Sequence, residues 1–276
     1  MLATAFMFVF LLVPLLLLAI ALGGAWMEGR RSPYSFGIGR VISNAFGAIG
    51  GAPLALLAGS AVLNAPAQFA LPIMAQRMGD TSRMEGLVYS LAPLWLIGLF
   101  LYPFVKLFMM GIALDTLAGR PIELGATLRM ALRRTLPALG LLILFGIALV
   151  VGFALLVVPG IILALTWFIV LPVMVGEGRG IFDCFARSAD LLRGMRWRLL
   201  LLILIAVVLW MMASGLMQGI ALAAGGAQNL WLVAGVQAVF ATLIGVLTTT
   251  GTAAVYHEAR TAKEGMGSHD LEAVFA

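Results

Sequence analysis

Four side chains toward the end of the chain have the types that hydrolytic or metal chemistry uses: His257, Glu258, His269 and Asp270. Two imidazoles and two carboxylates can ligate zinc or divide acid and base work between them. Their spacing fits no standard zinc pattern, and a solvated tail is the simpler account. Cys184 is the only cysteine, so an intrachain disulfide is ruled out. A nucleophilic thiol needs a base or a positive field beside it. Helical phasing puts Cys184 on an apolar face with no histidine near, which reads as a packed or lipid-facing thiol. No glycine-rich phosphate loop stands between a strand and a helix. The sequence therefore offers no catalytic set, no metal site and no cofactor site.

Polar groups inside apolar stretches are the remaining route to function, because hydrocarbon makes them costly. Lys106, in YPFVKLFMMGIALD, is the clearest. It can snorkel to the interface, pair with Asp115 or with a carbonyl freed by Pro103, or contact a substrate. Asn64, Gln68, Gln218 and Gln237 are neutral and can bond helix to helix. Thr248, Thr249, Thr250 and Thr252 can return hydroxyl bonds to their own backbone. Pro66, Pro72, Pro93, Pro103 and Pro172 each free a backbone carbonyl. Broken helices can form transporter sites, though five scattered prolines do not locate one.

The elements that carry these residues follow from composition. The chain has 276 residues, 63% hydrophobic and 11% charged, against about 25% charged in a soluble domain. Long apolar runs, not ten-residue alternation, make it an all-α integral membrane protein rather than a barrel. Seven runs reach the length that crosses hydrocarbon: 3–26, 51–75, 87–114, 135–157, 159–176, 199–223 and 230–256. Val158-Pro159-Gly160 reads as the turn between the fourth and fifth, and Gly225 to Asn229 as the turn between the last two.

The net charge is +5, and Arg outnumbers Lys fifteen to two. In a soluble protein this balance would point to nucleic acid. Here the basic residues lie between spans, so topology and anionic headgroups are the reading, with no nucleic acid. Odd connections and the tail hold fourteen Lys and Arg, and even connections hold Arg77 and Arg83 alone. Positive charge stays in the cytoplasm, which predicts an outer N-terminus and an inner C-terminus. The first span lacks a basic flank before it, so it reads as a retained anchor rather than a cleaved signal peptide. The expected divisions are anchor and linker 1–32, membrane domain 33–266 and tail 267–276.

Each basic connection also carries an amphipathic segment: 36–49, 122–134 and 181–195. In the last, Ile181, Phe182, Cys184, Phe185, Ala189, Leu192 and Met195 share one side, opposite Asp183, Arg187, Asp190 and Arg193. The spacings Asp183–Arg187 and Asp190–Arg193 allow pairing along that stripe, and Trp197 anchors the following span. A helix of this kind lies in the interface plane. Six spans thus form three repeats of surface helix plus hairpin. Near the inner end of each repeat an acid precedes an arginine: Asp115 and Arg120, Glu177 and Arg179, Glu258 and Arg260. Helix-end chemistry explains these, and so does a ring of acid–arginine pairs tying the repeats together.

The stretch from Pro159 resembles a bacterial family, the glycerophosphoryl diester phosphodiesterase membrane domain and its uncharacterised relatives. The resemblance rests on Pro159-Gly160-Ile161, Trp167, Glu177, Arg187-Ser188, Leu191 or Leu192, Arg193-Gly194 and Trp197. Tyr256 with Arg260 and SFGIGRVISNAF resemble the family's closing and opening segments, so the likeness covers roughly 33–266. It implies a bacterial inner-membrane location. In the family's fused members catalysis belongs to a separate domain, so the resemblance leads to no expected activity in these residues. The expectation is a non-enzymatic scaffold, regulator or lipid-associated protein, with anionic lipids and a protein partner or second copy as partners. The alternatives are a transporter or channel for a small or lipid-like substrate, and last a phosphodiesterase.

Overall fold

A computed structural model describes residues 19, 21–28, 36–75, 81–221 and 229–275, without the side chains of 70–75, 81–96, 221 and 266–275. All regular structure among the described residues is helical. A helix α1 covers 21–28. It is followed by α2 Ile38–Gly51, α3 Pro53–Ala75, α4 Thr81–Leu117 and α5 Leu124–Leu155. Then come α6 Val157–Thr166, α7 Val170–Glu177, α8 Ile181–Leu191, α9 Arg196–Ala221 and α10 Leu230–Phe275. Most of the expected first span, Arg77, and the turn from Gly225 to Gln228 lie outside the described residues, as do the side chains of Arg83, His269 and Asp270.

Five described helices are long and apolar enough to cross a membrane: Ile97–Leu117, Leu124–Leu155, Val157–Glu177, Arg196–Ile220 and Leu230–Gly265. A sixth arises if α2 and Pro53–Phe69 count together, although they meet at 96°. The bend has a local cause. Pro53 disfavours helical geometry in the residue before it, and Ala52 sits at φ −152°, ψ 65°. Pro53 itself is at home in the first turn of α3, where its missing donor costs nothing.

The amphipathic segment at 122–134 is not a separate helix. It runs on into the expected span as the single 32-residue α5. Nothing between Leu124 and Leu136 breaks the chain as Gly50-Gly51-Ala52-Pro53 does, and Pro137 is absorbed inside the helix. The break before α6 also shifts. Leu156 alone is extended, at φ −167°, ψ 153°, and Pro159-Gly160 fall in the first turn of α6. Gly160 supplies room rather than a bend, since a Cβ there would lie 2.5 Å from the Phe153 ring.

The fifth expected span is interrupted at 167–169. Pro172 has no N–H for the carbonyl one turn back, and the Val170 N–H bonds Trp167 O at 3.3 Å. Thr166 O is thereby released, and it accepts a bond from the buried Ser188 hydroxyl at 2.9 Å. So α8 plugs a broken span. Its apolar side is packed on protein: Cys184, Phe185, Leu191, Leu192 and Met195 are buried, and Phe182 stays 77% exposed. A helix lying on lipid along that whole side does not describe α8. Gly194, at φ +83°, separates α8 from α9.

One large core lies toward the charged ends of the helices. Leu107, Met110 and Leu114 of α4 meet Ala138 and Leu141 of α5, Val173 and Met174 of α7, and Ala253 and Ala259 of α10. Toward the other end α3 lies close against α10. Gly245 permits this, because a Cβ there would stand 2.2 Å from Ser60 Oγ.

Candidate functional site

The five intramembrane polar residues singled out by sequence come together. Asn64 and Gln68 of α3, Lys106 of α4, Gln218 of α9 and Gln237 of α10 line one cavity of about 440 Å³. Tyr102, Ser214 and Thr248 add hydroxyls, and Trp210, Met217, Phe240, Ala241, Ile244 and Gly245 complete the wall. Volumes of about 300–1,000 Å³ with a few convergent polar groups mark small-molecule sites. Sequence reasoning did not single out Tyr102 or Ser214. A polar residue every third or fourth place, Tyr102 to Lys106 and Ser214 to Gln218, was the available signal.

Lys106 neither snorkels to the charged end nor pairs with Asp115. Its Nζ donates to Thr249 Oγ1 at 3.0 Å and stands 6.0 Å above the centre of the Tyr102 ring. Eleven residues separate it from the end of α4 at Leu117, about 16 Å along the axis, beyond the reach of its own stem. Thr249 donates in turn to Gly245 O at 2.8 Å. Asn64 Nδ2 donates to Ser60 O at 2.9 Å and to Ser60 Oγ at 3.1 Å, leaving its Oδ1 as an acceptor. Ser60 Oγ donates to Thr242 O at 2.6 Å. These bonds fix one side of the cavity across α3, α4 and α10.

The charged ends form a second constellation. Arg120 Nη2 is 3.0 Å from Asp115, and Arg179 Nε is 2.6 Å from Glu177. Glu258 and Arg260 are not brought together. Two places apart on one helix, they point to different faces. Glu258 is 4% exposed and accepts from Arg40 Nε at 2.8 Å and from the Gly37 N–H at 3.0 Å. Arg260 bonds Glu264 at 2.6 Å. Arg187 turns from Asp183 to Glu177 at 2.9 Å, and it also meets Glu264 and, at 3.7 Å, Asp190. Asp190 meets Lys263 at 3.6 Å, so it does not pair with Arg193, which is exposed. The Tyr256 hydroxyl donates to Glu177 at 3.3 Å. Together these bonds join α2, α7, α8 and α10.

Arg134, which sequence reading treated as a topology charge, caps α7. It donates to Met174 O at 2.8 Å and to Gly178 O at 3.2 Å. Gly178 is left-handed at φ +71°, the conformation that ends a helix on glycine. Trp197 is 41% exposed at the start of α9. There α1 crosses it: a Cβ at Gly24 would lie 2.3 Å from the Trp197 ring, and Glu28 accepts the Arg198 N–H at 3.1 Å.

Cys184 is fully buried, and burial pushes its thiol up to about 11. No group of three or more His, Cys, Asp or Glu that could hold a metal ion occurs among the described residues.

A family model described as a domain of unknown function (DUF7847) matches residues 124–259. That stretch runs from the start of α5 into α10 and contains Gln218 and Gln237, but not Asn64, Gln68 or Lys106. No curated protein and no solved structure matches the chain.

Proposed function

We propose that the chain is a bacterial inner-membrane protein that holds an amphiphilic small molecule in its intramembrane cavity. One observation carries this. Polar residues from α3, α4, α9 and α10, far apart in sequence, line a single space of ligand size. Polar side chains in spans turn from lipid toward the bundle interior, and here the interior they face holds an open space rather than closed packing. The reading includes seven spans with the N-terminus outside and the C-terminus inside, and the likeness to the phosphodiesterase membrane domain. It keeps three related units, with the surface helix of the middle unit fused to its span. It includes no enzymatic step; among the described residues the bonds at the charged end tie elements together.

Native mass spectrometry on the purified chain in mild detergent, offered a mixed bacterial polar lipid extract, tests it. The expected result is a retained lipid-sized adduct that Ala241→Phe, which fills the cavity, removes. An adduct unaffected by filling would place the lipid elsewhere and sink the reading.

A second reading is a scaffold, and α2 favours it. Ile42 and Phe46 are exposed beside Arg40, while Val41, Ala45 and Ala48 pack on protein. This helix can rest on anionic lipid while the Arg40–Glu258 bond ties it to α10. Flotation of the full chain's α2 variant Phe46→Asp would be uninformative for an integral protein. Cross-linking from position 46 to lipid headgroups is the measurement, and its failure would remove the collar.

A further inference from the structure

We propose that the occupant of the cavity is an anionic amphiphile, its phosphate or carboxylate head seated against Lys106 and its tail passing out beside α9. The inference rests on the amphiphile reading above and adds the head's charge and the tail's exit.

The charge follows from what surrounds Lys106. Among the described residues lining the cavity it is the one charged residue, and no carboxylate is among them. Its described partners, the Thr249 hydroxyl and the Tyr102 ring, are neutral. A cation in a low-dielectric site without a counter-charge is costly, and an anionic head supplies one. Gln68, Gln218 and Gln237 place amide groups in the same wall, whereas the Ser214 hydroxyl donates to Met211 O at 3.0 Å, and anionic oxygens accept amide donors more strongly than neutral ones do.

The exit follows from how the helices pack. α3 and α4 pack on each other and on α10, whereas α9 packs closely on α10 and α6. The cavity is thus the cleft where α9 stands apart from α3 and α4. On its α9 side lie Trp210 and Met217. The neighbouring Leu209, Met212 and Leu216 are 60–69% exposed, as lipid-facing residues are. A tail leaving over Trp210 enters hydrocarbon directly.

The test uses the full chain in mild detergent, with thermal shift and native mass spectrometry as readouts. The probes are dioctanoyl phosphatidylglycerol, dioctanoyl phosphatidylcholine and inorganic phosphate. The anionic lipid should bind about tenfold more tightly than the zwitterionic one. Lys106→Met should abolish that preference, and Lys106→Arg should keep it. Equal binding of both lipids to the unmodified protein overturns the anionic head but leaves the amphiphile reading standing. Binding of neither overturns both. A full shift from inorganic phosphate alone overturns the tail. The lipid preference is read on the unmodified chain, so a Lys106 variant that fails to fold does not shield the proposal.

Discussion

Glu258 shows how little of a charged contact a sequence declares. Its partner Arg40 lies 218 residues earlier, on another helix. The nearer arginine was ruled out only by helical geometry. The Gly37 N–H depends on the same carboxylate. Glu258→Ala should lower stability by about 1–3 kcal/mol, and Glu258→Gln by less, because the amide oxygen still accepts from Gly37. Unfolding in detergent followed by tryptophan fluorescence checks the order. Cys184 is the opposite case, since helical phase alone put it on an apolar face, packed or lipid-facing, and the fold buries it. Its raised thiol predicts negligible maleimide labelling of the folded protein at pH 7–8, with labelling on denaturation. Fast labelling without unfolding would contradict the burial. Asn64, Gln68, Lys106, Gln218 and Gln237 were also legible one by one, because polar side chains are rare in an apolar run. That they share one space was not, because the three-dimensional pairing of α3 with α10 is set by Gly245 and Ser60, which look ordinary in sequence.

Helix boundaries were legible where breakers are strong. Pro53 and Gly178 stop their neighbours for reasons visible in the letters. The continuity of α5 was not legible, because an amphipathic stretch followed by an apolar one reads the same whether or not the helix bends between them. The interruption between α6 and α7 needed a partner from elsewhere to be tolerated. Ser188→Ala strands a buried carbonyl and should cost about 1–3 kcal/mol, whereas Ser188→Thr should retain the bond. Equal stability of the alanine variant and the parent would mean that water or another donor replaces the hydroxyl. Gly245→Ala should push α3 from α10 and weaken lipid binding more than Ala241→Ser does, as measured by adduct occupancy.

The molecule as a whole divides along its helix axes. The half carrying the basic ends is filled by one core and laced by ion pairs joining α2, α7, α8 and α10. The other half holds the cavity. A rigid half and an open half suit a protein that keeps its place while a ligand comes and goes. The proposed orientation predicts that a cysteine at position 120, in a Cys184→Ala background, resists membrane-impermeant maleimide in intact spheroplasts and labels after lysis. Labelling before lysis would invert the topology.

The bond between Ser188 and Thr166 also has a place in time. Ser188 follows Thr166 by 22 residues. Ribosomes add roughly 5–20 residues per second, so the acceptor precedes its donor by about one to four seconds. Until Ser188 is added, the Thr166 carbonyl lacks this donor. α8 is thus a clip whose bond can form only after both α6 and α7 have been made.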